Sequence, residues 1–479
     1  MNRILTHLLF FFFIFTTAGA KVKYPGPKVY AYRYYIVDKQ GSTHSLDRPS
    51  RFLSHKSLER RKRQGLKVDS TDLPVPETTV KRFRVKGARV LGTSRWNNTI
   101  LVGATDSTLL NMLAQLPCVK EAKMVFASPD SIDELASHKR SNFRDHYNRW
   151  DSLRGDPMGM ARVQIEMMGG DRLYDKNLRG DGMTIAVLDG GFQNVDRLSC
   201  FANTYIEGTH DFIGVHKWRK KRSDDDDDNF YEGIDHGTRV LSAIAAEAEE
   251  VMVGTATDAN FWLLKCEDPE TEMPIEEDYW TLAAEFADSV GVDIINSSLG
   301  YNTYDAPFES YQLNDLDGQT ALISRSASML ARKGIVLCNS AGNSGMGTWK
   351  KITVPADAHD ILTVGAVDQN GRNAAFASVG PTQDGRVKPD IVAMGSGTAL
   401  ISGRGTLVHD MGTSFSTPIV SGLVACLWQA LRDKTALEII DLVRLSAASF
   451  DAPNNILGYG IPNFWNAYQA GTSSPTPSK

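Results

Sequence analysis

Four short polar runs in this 479-residue chain carry side chains that together could break an acyl bond. Ser414 lies in Gly412-Thr413-Ser414-Phe415-Ser416-Thr417-Pro418, directly ahead of an almost wholly apolar stretch at 419–431. That placement sets a hydroxyl at the N-terminus of a buried helix, where free N–H groups and the positive dipole end stabilise developing negative charge. Pro418 fits the first helical turn, where its missing N–H costs nothing. Serine is inert without a base. His236, in Asp235-His236-Gly237-Thr238-Arg239-Val240, supplies an imidazole at another helix start. Asp189 ends the apolar run 184–188 ahead of Gly190-Gly191, so its carboxylate projects from a strand end. Asn343, in Ser340-Ala341-Gly342-Asn343-Ser344-Gly345, ends a further strand and offers an amide donor for an oxyanion.

Singly, these are turn and cap residues. Jointly they supply a nucleophile, a base, an orienting carboxylate and an oxyanion donor. Chain order discriminates further: Asp189 precedes His236 by 47 residues, and His236 precedes Ser414 by 178. The α/β-hydrolases run serine, acid, histidine around Gly-x-Ser-x-Gly, whereas Ser416 stands two residues after Ser414. Chymotrypsin-like enzymes run histidine, aspartate, serine. The order aspartate, histidine, serine is that of subtilisin.

The elements that would position these groups are legible. Near-continuous apolar runs at 183–188, 261–265, 292–296, 335–338 and 361–367 read as strands of a parallel sheet covered on both faces. Helical patterns at 239–247, 279–290 and 321–333 alternate with them, which predicts a doubly wound α/β domain with its site outside the strands' carboxyl ends.

Ahead of that domain, residues 1–20 have the basic start, apolar middle and small-residue end of an export signal. Residues 21–128 read as a small α+β domain, 129–157 as an exposed linker open to proteolysis, 158–470 as the α/β domain and 471–479 as a disordered tail. No later run is apolar for long enough to cross a bilayer, so the mature protein is expected to be free of the membrane, extracellular or periplasmic. The net charge of −5 conceals an asymmetry: residues 1–156 hold 27 Lys+Arg against 14 Asp+Glu, and the rest 25 against 43. Halves of opposite sign suggest two bodies that attract each other. Within the basic half, Arg60-Arg61-Lys62-Arg63 reads as a solvated helix face. The acidity of the half bearing Ser414 makes nucleic-acid binding an unneeded reading. Five cysteines give no pairing, and Cys338 and Cys426 sit in apolar segments as small core residues.

Asp189-Gly190-Gly191, His236-Gly237-Thr238, Ala341-Gly342-Asn343-Ser344-Gly345 and the Ser414 run resemble the four signature blocks of the subtilase family. Asn296-Ser297-Ser298-Leu299-Gly300, Val364-Gly365-Ala366-Val367, Lys388-Pro389-Asp390-Ile391-Val392 and Gly458-Tyr459-Gly460 match as well, over about residues 160–470. The resemblance, to the secreted bacterial type, implies a seven-stranded, mostly parallel sheet and a serine endopeptidase that acts on polypeptides as a monomer without a required cofactor. It implies that the N-terminal domain is a propeptide acting as chaperone and intramolecular inhibitor. It also implies that Ser298, Leu299 and Gly300 pair with an extended substrate, with Gly342 beside the pocket. Three positions depart from the family pattern: Gly190, Arg239 in place of a second histidine, and Met394. Ser344, near the pocket mouth, is uncharged, which argues against selection for a basic side chain. The run Asp224 to Asp228 could bind calcium, but it lacks a known loop's spacing and reads as a solvated insertion. Two other functions fit less well: a catalytically silent binding protein on the same fold, and a serine esterase.

Overall fold

The computed structural model describes residues 21–133, 152–218 and 229–473. The export segment, the carboxylate run 224–228, residues 134–151 of the linker and residues 474–479 lie outside them.

The N-terminal domain is an antiparallel sheet of β1 (Tyr30–Ile36), β2 (Ala88–Ser94), β3 (Thr99–Ala104) and β4 (Val119–Ala127) in the order β2-β3-β1-β4. It carries helices α1 (His55–Arg63) and α2 (Ser107–Leu113). Asp106 caps α2 by accepting from the Thr108 N–H, and Leu110 and Leu113 pack with Tyr34, Phe83, Ile100 and Val102.

The larger domain holds seven strands: β5 (Thr184–Asp189), β6 (Tyr205–Asp211), β7 (Asn260–Lys265), β8 (Ile294–Ser297), β9 (Val336–Ser340), β10 (Leu362–Val367) and β11 (Ile391–Met394). Their order is β11-β10-β9-β8-β5-β7-β6, and every neighbouring pair is parallel. Helices α3 (His236–Ala245) and α6 (Thr413–Ala430) bury one face of the sheet, and α4 (Ile275–Val290) and α5 (Leu322–Ala327) the other. Strand order reverses at β5, so Asp189 emerges at the crevice where an open parallel sheet binds ligands. An antiparallel hairpin, β12 (Ser396–Ile401) and β13 (Leu407–Met411), leads into α6. Helices α7 (Ala436–Leu445) and α8 (Phe464–Ser473) close the domain.

Three expectations need correction. The segment 321–333 is not one helix: α5 stops at Ala327, and Ala331–Lys333 is a separate 3₁₀ turn. Ser326 and Ser328 donate their hydroxyls to the Leu322 and Ser324 carbonyls four residues back, where such side chains weaken and bend a helix. Residues 471–473, placed in the tail, belong to α8. The Arg60 and Arg61 side chains are not solvated but only 1% exposed. Both reach Asp288 of α4, itself fully buried, and Arg95 joins them at 2.8 Å. Arg33 pairs with Asp278 at 2.6 Å and Arg63 with Asp293 at 2.9 Å. The opposite charges of the two halves thus meet across one interface. All five cysteines are free thiols, and Cys200, Cys266, Cys338 and Cys426 are buried. Among the described residues no helix is long and apolar enough to cross a membrane.

Candidate active site

Asp189 is fully buried at the end of β5. Its carboxylate accepts from the Gly190 N–H at 2.8 Å and, through both oxygens, from His236 Nδ1–H at 3.0 and 2.9 Å. His236 opens α3, whose close approach to β5 depends on the next residue. A Cβ on Gly237 would lie 2.5 Å from the Gly191 carbonyl and 3.0 Å from Asp189 Cβ. The Gly237 N–H donates to that carbonyl, and Thr238 Oγ1 donates to the Gln193 carbonyl. Burial works to lower the imidazole pKa, but Asp189 outweighs it by charge and hydrogen bond, and Glu267 adds to the effect. The result is a pKa raised from 6.5 to about 9.

Ser414 occupies the second residue of α6, and the ring of Phe415 lies 5.6 Å from the imidazole of His236. The Ser414 hydroxyl donates to the Ser298 carbonyl at 3.2 Å, and no hydrogen bond joins it to His236 among the described residues. Catalytic hydrogen bonds often tighten only when substrate is bound. Pro418 is the sixth residue of α6 and lies beyond the first turn, contrary to expectation. Its missing N–H leaves the Ser414 carbonyl without its helical donor, and Ser298 Oγ supplies one at 2.8 Å. Ser298 therefore holds Ser414 at both carbonyl and hydroxyl.

Asn343 is anchored by its oxygen. Oδ1 accepts from the Thr413 N–H at 2.9 Å and from Thr413 Oγ1 at 3.0 Å, which orients the amide nitrogen away from Thr413. Thr413 Oγ1 also accepts from the Gly342 N–H. Gly342 has φ of +104°, and a Cβ there would meet Ser378 Oγ and Thr353 Oγ1 at about van der Waals overlap, 2.9 and 3.0 Å. Sequence reasoning missed Thr413 as the residue that aims Asn343; its position immediately before the serine was the available signal.

Ser298, Leu299 and Gly300 continue from β8 beside β5. The Leu299 carbonyl accepts from Ser340 Oγ and Asn339 Nδ2, and Tyr301 forms an antiparallel bridge with Val354. Arg239 donates to Asp235 at 3.0 Å and to Asp410 of β13 at 2.7 Å. Among the described residues, no group of three or more His, Cys, Asp or Glu side chains converges as a metal ion requires.

A buried aspartate bonded to an imidazole, a helix-start serine and an anchored amide thus stand at strand ends and helix starts of one parallel α/β sheet. Residues 180–460 match the family model of the subtilase family, and residues 31–142 match the peptidase S8 propeptide domain of Bacteroidota. The chain belongs to the subtilase family, whose class is the subtilisin-like serine endopeptidases, and it carries that family's propeptide domain. Subtilisin Savinase of Lederbergia lenta is 26% identical over 64% of this chain and 96% of its own length. Serine protease AprX of Bacillus subtilis is 27% identical over 61% of this chain and 67% of its own length. Against subtilisin-like protease SBT6.1 of Arabidopsis thaliana, 24% identical, the match spans only 26% of that relative.

Proposed function

We propose that this chain is an exported zymogen of a serine endopeptidase working through Asp189, His236 and Ser414. Ser414 Oγ attacks a peptide carbonyl while His236 takes its proton and later gives it to the leaving amine; water then hydrolyses the acyl-enzyme by the same path reversed. Asp189 fixes the imidazole tautomer and stabilises the imidazolium. The Asn343 amide and the Ser414 N–H hold the oxyanion, and Ser298, Leu299 and Gly300 pair with the substrate backbone, with Gly342 beside it. These side chains supply every group the reaction needs, so no cofactor is assigned. The observation that carries this reading is the double Asp189–His236 contact at a sheet switch point, with Ser414 on the adjoining helix start.

The domain order follows: signal 1–20, inhibitory propeptide 21–128, maturation cut within 129–157, catalytic domain from 158. Fluorophosphonate labelling and casein hydrolysis by the wild type, both lost in Ser414→Ala, test the enzyme. N-terminal sequencing of the mature form locates the cut. In subtilisin, a relative of this chain, losing the serine costs about 10⁶ in turnover and losing the oxyanion amide about 10²–10³. Asn343→Ala should accordingly retain measurable activity where Ser414→Ala does not. Labelling that survives in Ser414→Ala would refute the assignment.

A further inference from the structure

Most buried carboxylates on the α4 side of the sheet are given partners. Asp278 has Arg33, Asp288 has three arginines, and Glu277 accepts from Tyr304, Tyr311 and the Ile323 N–H. Glu267, Glu272 and Glu276 are treated differently: among the described residues no Lys or Arg pairs with any of them. Glu267 lies two residues beyond β7 and against the Asp189 turn, where a Cβ on Gly190 would fall 2.8 Å from Oε2. Glu272 and Glu276 flank the start of α4, where Glu276 Oε1 accepts from the Met273 N–H. The His236 imidazole favours the charged form of Glu267, but the acids beside Glu272 and Glu276 offer them no cation. Asp305 accepts from the Glu272 N–H, and Asp268 is held by His216 and Thr271.

Two orphaned polar atoms belong to this region, one of them on Glu276 itself. Glu276 Oε2 is buried without a hydrogen-bond partner in a fully buried residue. Tyr301 OH is also buried and unpartnered, in a residue 1% exposed that directly follows the Ser298–Gly300 segment. Its phenol feels the charges of Glu276, Glu267 and Glu272. Burial first raises all three carboxyls; the charge of Asp189 then adds at Glu267, which lies at about 7, and that of Glu267 at Glu272, which lies at about 8, while Glu272 and Glu267 push Glu276 up. Leaving such groups unmatched is costly, and an entering cation relieves the repulsion. The acids do not converge tightly enough for a metal ion, but a long cationic side chain carries its charge and donors into a looser ring.

We infer that Glu267, Glu272, Glu276 and Tyr301 form a substrate subsite for a Lys or Arg side chain, selecting peptides with a basic residue close to the scissile bond. The sequence is consistent with a first substrate of this kind: the region of the maturation cut carries Lys139, Arg140, Arg144, Arg149 and Arg154. This inference rests on the endopeptidase reading above.

The test is a set of internally quenched peptides carrying Lys, Arg, Glu or norleucine in turn at each of six positions around the bond. They are offered to the mature enzyme obtained from the full chain. At one position or more, kcat/KM for Lys or Arg should exceed that for norleucine by about tenfold or more. Raising salt to molar levels should shrink the ratio. Glu267→Gln and Glu276→Gln should each lower it, and Glu267→Lys should turn the preference towards Glu. Norleucine peptides cut as fast as Lys and Arg peptides at every position would overturn the subsite and leave the endopeptidase reading intact. No cutting of any peptide, together with no fluorophosphonate labelling, overturns both. The wild-type ratio decides the matter even where a variant fails to fold.

Discussion

In the proposed mechanism His236 accepts a proton from Ser414 only when neutral, so its titration sets the lower pH limit of activity. With Asp189 ionised beside it, the imidazole loses its proton near 9 instead of 6.5. kcat/KM should therefore rise with pH to an inflection well above 6.5 and towards 9, and Asp189→Asn should move that inflection down as well as slow the reaction. A profile flat from pH 6.5 upward would contradict the raised imidazole. Thr413 acts one step away from the chemistry. Thr413→Val removes one of two donors to Asn343 Oδ1, and kcat should fall about tenfold with KM little changed, while Thr413→Ser restores the rate. A KM effect with kcat unaltered would show that Thr413 does not aim the amide. The four residues proposed to react stand out in the sequence because neighbours in their runs are dictated by backbone, as Gly237 is by the approach of α3 to β5 and Gly342 by its positive φ. The bond between Ser298 Oγ and the Ser414 carbonyl was not legible, since it joins residues 116 apart.

Helix α3 carries His236, hairpin β12–β13 leads into Ser414, and Arg239 ties the two elements together. Its guanidinium spans Asp235, next to His236, and Asp410, four residues before Ser414. Its charge also opposes formation of the imidazolium. Arg239→Met should lower kcat/KM at pH 8 by about two- to fivefold and shift the acid limb to higher pH. Arg239→Lys should keep the limb in place, because it keeps the charge. If the limb stays put in the methionine variant, the bridge is structural only. Strand detection followed the same division between central and edge positions. The five strands read as apolar runs are the central β5, β7, β8, β9 and β10, covered on both faces. The two not read from periodicity are the sheet edges: β6 reads Tyr-Ile-Glu-Gly-Thr-His-Asp, and β11 is four residues long. Edge strand β6 is exposed enough to carry polar residues and so loses the signal, whereas β11, wholly apolar and buried, is too short to show a period.

The two domains are joined by buried ion pairs whose strength depends on completeness. Removing one member leaves uncompensated charge, so Asp288→Ala should cost about 3–5 kcal/mol. Urea unfolding of the full chain, made uncleavable by Ser414→Ala, measures this; a loss under about 1 kcal/mol would mean that the arginines find other partners. Burial pushes the Asp288 carboxyl up, but Arg61, Arg60 and Arg95 pull it down further, to about 2. Because the folded value is depressed, this contribution is present above the unfolded value of 3.8 and lost only as pH falls through about 2. The domains should stay docked at pH 4, with N-terminal residues protected from added protease. The attraction between halves was visible in the charge count, whereas the buried arginines were not, because a basic run on one helix does not reveal an acid more than 200 residues away.

The same Asp288 junction acquires a concentration dependence once the chain is cut. While the linker is intact, the N-terminal domain faces its partner at an effective concentration in the millimolar range, and docking is an internal equilibrium. A single cleavage within 129–157 changes no contact at Asp288, yet it turns docking into an encounter between separate molecules. Release of the N-terminal domain is then a matter of dilution.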